Sequence, residues 1–188
     1  MVRRVIFALI AGLALPVAVS ATDQSIELTA NVAKFCKFDA DPTIGSLNNM
    51  TVVSSSTSAS VLDVTTATGP TGIMNTAGFN FQIQATCNFP SQVTLTTLNG
   101  GLTDASPEPI SSGTFLRRID YNVTSLWNGA GVGILATTGV AGQTSPPQAA
   151  PHAHSGPLQV IVSTIANTTA PLAAGDYTDT LKISLVPQ

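Results

Sequence analysis

Apolar and polar residues alternate with a period of two along most of the chain. The clearest run lies near its end, where every second position is apolar: Tyr177, Leu181, Ile183 and Leu185. The intervening positions carry Thr, Lys and Ser, as on a β-strand with one buried and one solvent-facing side. Gly175 and Asp176 precede the run and are typical of a turn. The pattern predicts a strand from Tyr177 to Val186.

The same period recurs in other segments of similar length. Three further segments place their apolar residues at odd positions: Phe79–Cys87, Val93–Leu95 and Ile119–Val123. The turn-like "NFPS" separates the first of them from the second. Asn99-Gly100-Gly101 and Asn128-Gly129 are turn signals. No stretch of useful length has a 3.6-residue period, so the chain is predicted to be an all-β sandwich or barrel. Residues 142–157 contain four prolines and are predicted to form an exposed loop.

The first 21 residues have the features of a secretory signal peptide. Arg3 and Arg4 precede an apolar run from Val5 to Leu15, and Val19-Ser20-Ala21 offers small residues for cleavage. The run is shorter than the roughly 20 residues that span a membrane. We therefore expect residues 1–21 to be removed, and residues 22–188 to form one secreted domain.

Composition and charge narrow the possible partners. The whole chain has a net charge of −3, and removal of Arg3 and Arg4 leaves five basic and ten acidic residues. Nucleic-acid binding calls for clustered Lys and Arg, so it is not expected. Cys36 and Cys87 lie at the inward phase of predicted strands, in a chain bound for an oxidising compartment. They are expected to form a disulfide, which could link two strands across a core, and they lack the CxxC spacing of a metal site.

Candidate catalytic and metal-binding groups are few. His152 and His154 lie in the proline-rich stretch with no nearby Cys or carboxylate, so they are expected to be solvated loop residues rather than zinc ligands. No GxSxG motif provides a nucleophile for a hydrolase. Asp176 and Asp179 are interpreted as turn residues rather than a catalytic pair. For Arg117-Arg118 we expect at least one arginine to snorkel or to pair with a carboxylate. The sequence predicts no enzyme, no cofactor and no metal.

Four stretches together resemble one family. "IELTANVAKFCKF", "FQIQATCNFPSQVTLTTLNGG", "IDYNV" and "GDYTDTLKISL" occur in this order between residue 22 and the end of the chain. They are similar to segments of the spore coat protein U group of secreted pilin-like proteins, which includes the subunits of archaic chaperone–usher pili. The resemblance implies an immunoglobulin-like sandwich that lacks its final strand. It also implies a structural subunit of a bacterial surface fibre.

The resemblance further implies how the missing strand is supplied. A periplasmic chaperone lends a strand first, and the N-terminal segment of another copy or related subunit replaces it at the outer-membrane usher. The donated strand would be Thr22–Val32, with Ile26, Leu28, Ala30 and Val32 inserting, and the groove would be lined by Tyr177, Leu181, Ile183 and Leu185. Cys36 lies only 14 residues after Thr22, so the same short segment would also supply the protein's own first strand.

Two other functions remain open at this point. A monomeric secreted module that binds carbohydrate or a surface ligand would need exposed aromatic residues, for which Trp127 and Phe115 are the candidates. A small secreted hydrolase would need His152 or His154 as its base.

Overall fold

The chain is an all-β protein. The structure, a computed structural model, describes residues 24–56, 60–64, 67–104, 115–150 and 152–188, and within these ranges every regular element is a strand. The predicted signal peptide lies outside the described residues. Across those same ranges no helix is long and apolar enough to cross a bilayer. The residues up to Val32 and the residues from Ala33 to Gln188 form two units.

The larger sheet contains six antiparallel strands. Its hydrogen-bonded order is β1-β5-β12-β9-β10, and β2 also pairs with β5. The strands are β1 (Cys36–Phe38), β2 (Thr43–Asn48), β5 (Gly78–Cys87), β9 (Tyr121–Trp127), β10 (Ala130–Ala136) and β12 (His154–Thr164). Since β1 and β2 follow one another along the same side of β5, they together form one edge of this sheet, and β10 forms the other.

Three smaller sheets complete the fold. The sheet that faces the larger one has the order β11-β6-β14, formed by β6 (Ser91–Thr97), β11 (Gln148–Ala150) and β14 (Leu181–Pro187). A second has the order β13-β7-β8, with β7 (Leu102–Asp104), β8 (Arg118–Ile119) and β13 (Tyr177–Thr178). Finally, β3 (Met50–Ser55) and β4 (Ser60–Val64) pair with each other.

The core lies between the larger sheet and β6. Its central strands bury their inward residues completely, with Val93, Leu95, Val123, Leu158 and Val160 all at 0% exposure. The predicted parity of β5, β6 and β9 is therefore confirmed, and the fold is a β-sandwich. Asn128 and Gly129 both have positive φ, as expected for the two-residue turn that joins β9 to β10.

The predicted disulfide is present, and it lies within one sheet. Cys36 and Cys87 are bonded at 2.03 Å, and they face each other as paired residues of the neighbouring strands β1 and β5. The bond thus links two strands of one sheet and does not cross the core. The alternation in the sequence shows only that both cysteines point inward. Inward-pointing residues occur on adjacent strands of one sheet and also on the two facing sheets, so the alternation cannot distinguish a bond within one sheet from a bond across the core.

The proline-rich stretch is more ordered than the predicted loop. Ser145 and Ala150 are buried, β11 pairs with β6, and β12 begins at His154. Pro157 lies inside β12, opposite Gln84 of β5. The carbonyl oxygen of Pro157 accepts a hydrogen bond from Asn128 N, so the backbone groups of Pro157 face away from β5, toward β9. The pairing of β12 with β9 ends one residue earlier, at Leu158 and Trp127. The missing N–H of Pro157 therefore costs no hydrogen bond with β5.

The predicted final strand is divided into two. Tyr177 and Thr178 form β13, which pairs with β7, whereas β14 begins at Leu181 and pairs with β6. The Tyr177 side chain packs with a second apolar cluster around Met74, Ile119 and Leu172. Tyr177 was predicted to share a strand with Leu181, Ile183 and Leu185, and this prediction is wrong.

Candidate functional site

One side of the sandwich is incompletely covered. Several inward apolar residues there pack against the core but remain half-buried, and they come from β14 and from β1 and β5 of the larger sheet. Cα atoms of β1 and β14 approach within 8 Å of one another, yet these strands do not pair. We call this incompletely covered side the cleft, and its apolar residues are Phe38, Phe79, Phe81, Leu181, Ile183 and Leu185.

The opposite side of the sandwich is closed. There β10 and β11 lie next to each other, and Val132, Leu135 and Ala150 are between 3% and 5% exposed. The free edge of β6 beyond β11 is covered by Ser145, whose N–H donates to Leu95 O at 2.8 Å and whose Oγ accepts from Leu95 N at 3.0 Å. The half-buried state of the cleft residues is thus a property of one side, not of the whole core.

The backbone of β14 has one unused edge. Among the described residues, β14 pairs with β6 along one edge and with no strand along the other. Thr180 O accepts a hydrogen bond from Leu98 N, and Gln188 N donates one to Pro90 O. The even-numbered residues of this segment therefore direct their backbone groups toward β6. Leu181, Ile183 and Leu185 consequently direct their N–H and C=O groups to the open edge. The same three residues point their side chains into the cleft.

A half-buried carboxylate, that of Asp179, fixes where β14 begins. Asp179 Oδ1 accepts from Asn99 N at 2.8 Å, and Asp179 Oδ2 accepts from Gly101 N at 3.0 Å and from the Tyr121 hydroxyl at 2.8 Å. Burial, and then the hydrogen bond and charge of Asp179, raise the pKa of Tyr121 above its ordinary value. This network ties the β13–β14 junction to the Asn99-Gly100-Gly101 turn and breaks the run that the sequence pattern suggested. Asp176, by contrast, is exposed.

The segment before β1 has no regular secondary structure and is exposed to solvent. Residues 24–32, which we call the arm, contain no strand, and every one of them is exposed. Leu28 is 91% exposed, and Ile26 and Val32 are each 76% exposed. Because β1 begins only at Cys36, the arm does not serve as the first strand of the sandwich. The expectation that this short segment also supplies the protein's own first strand is therefore wrong.

Ala33–Phe35, between the arm and β1, is held in place by Asn88. Asn88 N donates to Phe35 O at 3.2 Å, while Phe35 N donates to Asn88 Oδ1 at 2.9 Å. Asn88 Nδ2 donates to Ala33 O at 2.8 Å. Lys34 lies 4.7 Å over the ring of Phe89 and donates from Nζ to Gln188 O at 2.8 Å. We call the bonds of Asn88 and Lys34 the foot clamp. It continues the β1–β5 ladder beyond its last backbone pair.

The candidates for ligand binding and catalysis lie elsewhere. Trp127 is fully buried and cannot serve as an exposed aromatic platform, whereas Phe115 is 42% exposed. His154 is not a solvated loop residue, because it is half-buried in β12 with its ring 5.0 Å from that of Trp127. Its buried Nε2 has no hydrogen-bond partner, so it accepts no hydrogen bond from a serine hydroxyl as the base of a catalytic triad does. His152 is exposed.

Charged groups near the second cluster form ion pairs. Arg117 lies 3.4 Å from Asp104 and Arg118 lies 2.8 Å from Asp120, which confirms the expected carboxylate pairing. Within the part of the chain that the structure describes, no three His, Cys, Asp or Glu side chains are grouped as metal ligands would be.

Sequence reasoning missed the roles of Asn88 and Asp179. Asn88 was recognised only as part of a turn, and the contacts that distinguish it reach residues more than 50 positions earlier in the chain. Asp179 was interpreted as a turn residue, and its partners lie about 80 and 58 positions away. A turn-type residue next to a strand is the available signal, and many turns share it.

Comparisons with known proteins give no assignment. No family model matches this chain, and no curated protein matches it significantly.

Proposed function

We propose that this protein is a structural, non-enzymatic subunit of a bacterial surface fibre, related to the spore coat protein U group. In this proposal the cleft accepts an extended strand from another copy of the chain, and the arm is the strand that each copy donates. The observation that carries the proposal is β14: its inward residues are half-buried and its outer backbone edge has no partner among the described residues. The equivalent positions on the opposite side are buried.

Such an edge is unfavourable in an isolated domain, because exposed apolar groups and unpaired backbone groups promote association with other chains. Strand addition removes both costs together, since the added backbone pairs with the edge while alternate side chains enter the opening. On β14 the open backbone groups and the half-buried side chains belong to the same residues, Leu181, Ile183 and Leu185. One added strand would therefore satisfy all of them.

The dimensions of the arm suit this role. The seven residues of β14 extend over roughly 23 Å at 3.3 Å per residue, and Ile26–Val32 also has seven residues. Ile26, Leu28, Ala30 and Val32 recur with the same period of two as the cleft residues of β14. The arm contains one charged residue, Glu27, which lies at the opposite parity and would face solvent.

Secretion, the periplasmic chaperone and the outer-membrane usher belong to the same proposal. A subunit with an open cleft needs a temporary strand before polymerisation, which is the role proposed for the chaperone. The signal peptide proposed for residues 1–21 would deliver the chain to that compartment. The cleft and the arm involve no nucleic acid, and the proposal needs no cofactor.

The test compares the chain starting at Thr22 with the chain starting at Ala33, which keeps the foot clamp but lacks the arm. Gel filtration and unheated gel electrophoresis should show a ladder of non-covalent oligomers only for the longer chain. A Leu28→Asp variant of the longer chain is the matched control, since it keeps the length but places a charge where a side chain would insert. Stable monomers of all three would reject strand exchange and favour a monomeric binding module.

A further inference from the structure

The foot clamp bears on which chain can fill the cleft. We propose that Asn88, assisted by Lys34, is a positioning residue that prevents the arm from returning into its own cleft, so that the cleft takes the arm of a second copy. This inference rests on the proposed function. It concerns the partner of the cleft, which could otherwise be the same chain.

The backbone course of Ala33–Phe35 supports the inference. Ala33 O and both backbone groups of Phe35 bond to Asn88, so these groups point to one side, as in an extended strand. They point toward β5 and not toward the other edge of β1, which has no partner strand among the described residues. For the arm to lie beside its own β1, the chain would have to reverse direction within these residues. A tight turn there would break the bond to Ala33 O, because that carbonyl could no longer face Asn88.

Lys34 adds a second obstacle at the same place. Its side chain extends from the start of β1 to Gln188 at the end of β14, and its ammonium group also contacts the Phe89 ring. These two strand ends mark one end of the cleft. A returning arm would enter the cleft at this end and would have to displace Lys34, whereas an arm from a second copy can enter from elsewhere along the open edge.

The test uses the chain starting at Thr22 with Asn88→Ala, and with Asn122→Ala as the matched control. Asn122 is an exposed asparagine of β9 outside the foot clamp. Trp127 fluorescence and an intact disulfide would show that each variant is folded. Glutamyl endopeptidase provides the readout for the arm, because the chain has two glutamates, Glu27 in the arm and Glu108, which is followed by Pro109.

The wild-type chain and the Asn122→Ala variant should form the same oligomer ladder, and their residual monomers should be cut at Glu27. Asn88→Ala should shift the protein from the ladder to a monomer in which Glu27 resists cleavage, because the arm now occupies its own cleft. A purely structural role of Asn88 would reduce stability without protecting Glu27. An unchanged ladder, or a monomer that is still cut, would overturn the role of the clamp while leaving the proposed function intact.

Failure of the proposed function has a different outcome. If the wild-type chain stays monomeric at every concentration, both the strand exchange and the clamp's role in it are rejected. If the Asn88→Ala variant does not fold, amide hydrogen exchange on the folded wild-type monomer provides the test instead. The Phe35 amide should then be protected to a degree similar to that of the β1 amides, and exchange at the rate of an unstructured peptide would overturn the inference.

Discussion

The most direct prediction concerns the energy that a single arm side chain contributes in the cleft. A labelled peptide of residues 22–32 should bind the chain starting at Ala33, and the Leu28→Ala peptide should bind it more weakly. Leu28 is 91% exposed in the arm, so nearly its whole side chain is available for burial. Leucine and alanine differ by three methylene-sized groups at about 0.8 kcal/mol each, a loss of roughly 2.4 kcal/mol.

At about 1.4 kcal/mol per tenfold change, this loss corresponds to an approximately 50-fold increase in Kd. The Thr29→Ala peptide is the control, because Thr29 is the neighbouring residue at the opposite parity. Its change should stay within about 0.5 kcal/mol, as for a solvent-facing position. Fluorescence anisotropy measures all three peptides, and the protein is unchanged throughout. Equal affinities of the Leu28→Ala and Thr29→Ala peptides would refute the idea that alternate arm residues insert into the cleft.

The remaining predictions concern stability. Asp179→Ala should lower the free energy of unfolding by about 3 kcal/mol, since three donors in part-buried hydrogen bonds lose a charged acceptor. Asp176→Ala should change it by less than about 0.5 kcal/mol, and urea denaturation measures both variants. Replacing both cysteines with serine should cost about 4 kcal/mol in the chain-entropy account for a separation of 51 residues, measured in the same way. Burial raises the pKa of both Tyr121 and Tyr177 above 10.0, so the folded state favours the neutral phenols. These two groups should therefore leave the free energy of unfolding unchanged below about pH 10 and should lower it as the pH rises further. In an absorbance titration the phenolate signal should appear together with unfolding. Phenolate formation in the folded state near pH 10 would contradict this.

Much of the strand content was predictable from the sequence, and the reason is local. Side-chain parity in a strand depends on neighbouring residues alone, so the inward residues of β5 and β9 follow directly from the pattern. The break before Leu181 was not predictable, because it depends on hydrogen bonds from Asn99, Gly101 and Tyr121 to one carboxylate. Those partners become neighbours only after the chain has folded.

The same distinction applies to the candidate site. The apolar character of Leu181, Ile183 and Leu185 was evident, and so was the alternation in the arm. Their half-buried state, and the contrast with the closed side at Ala150, depend on which strands become edges. The sequence also could not reveal that β1 begins at Cys36, since the alternation from Ile26 onward continues in phase with that residue.

The position of the disulfide has a mechanical consequence for a fibre built by strand exchange. Tension applied to the arm reaches Cys36 within a few residues and passes through the covalent bond to Cys87 of β5. Residues 37–86 then lie in a closed covalent loop that carries no load, so pulling cannot unravel them. Apart from the residues before Cys36, only the chain beyond Cys87 can lengthen under force, and reduction of this bond would add the length of the chain from β1 to β5.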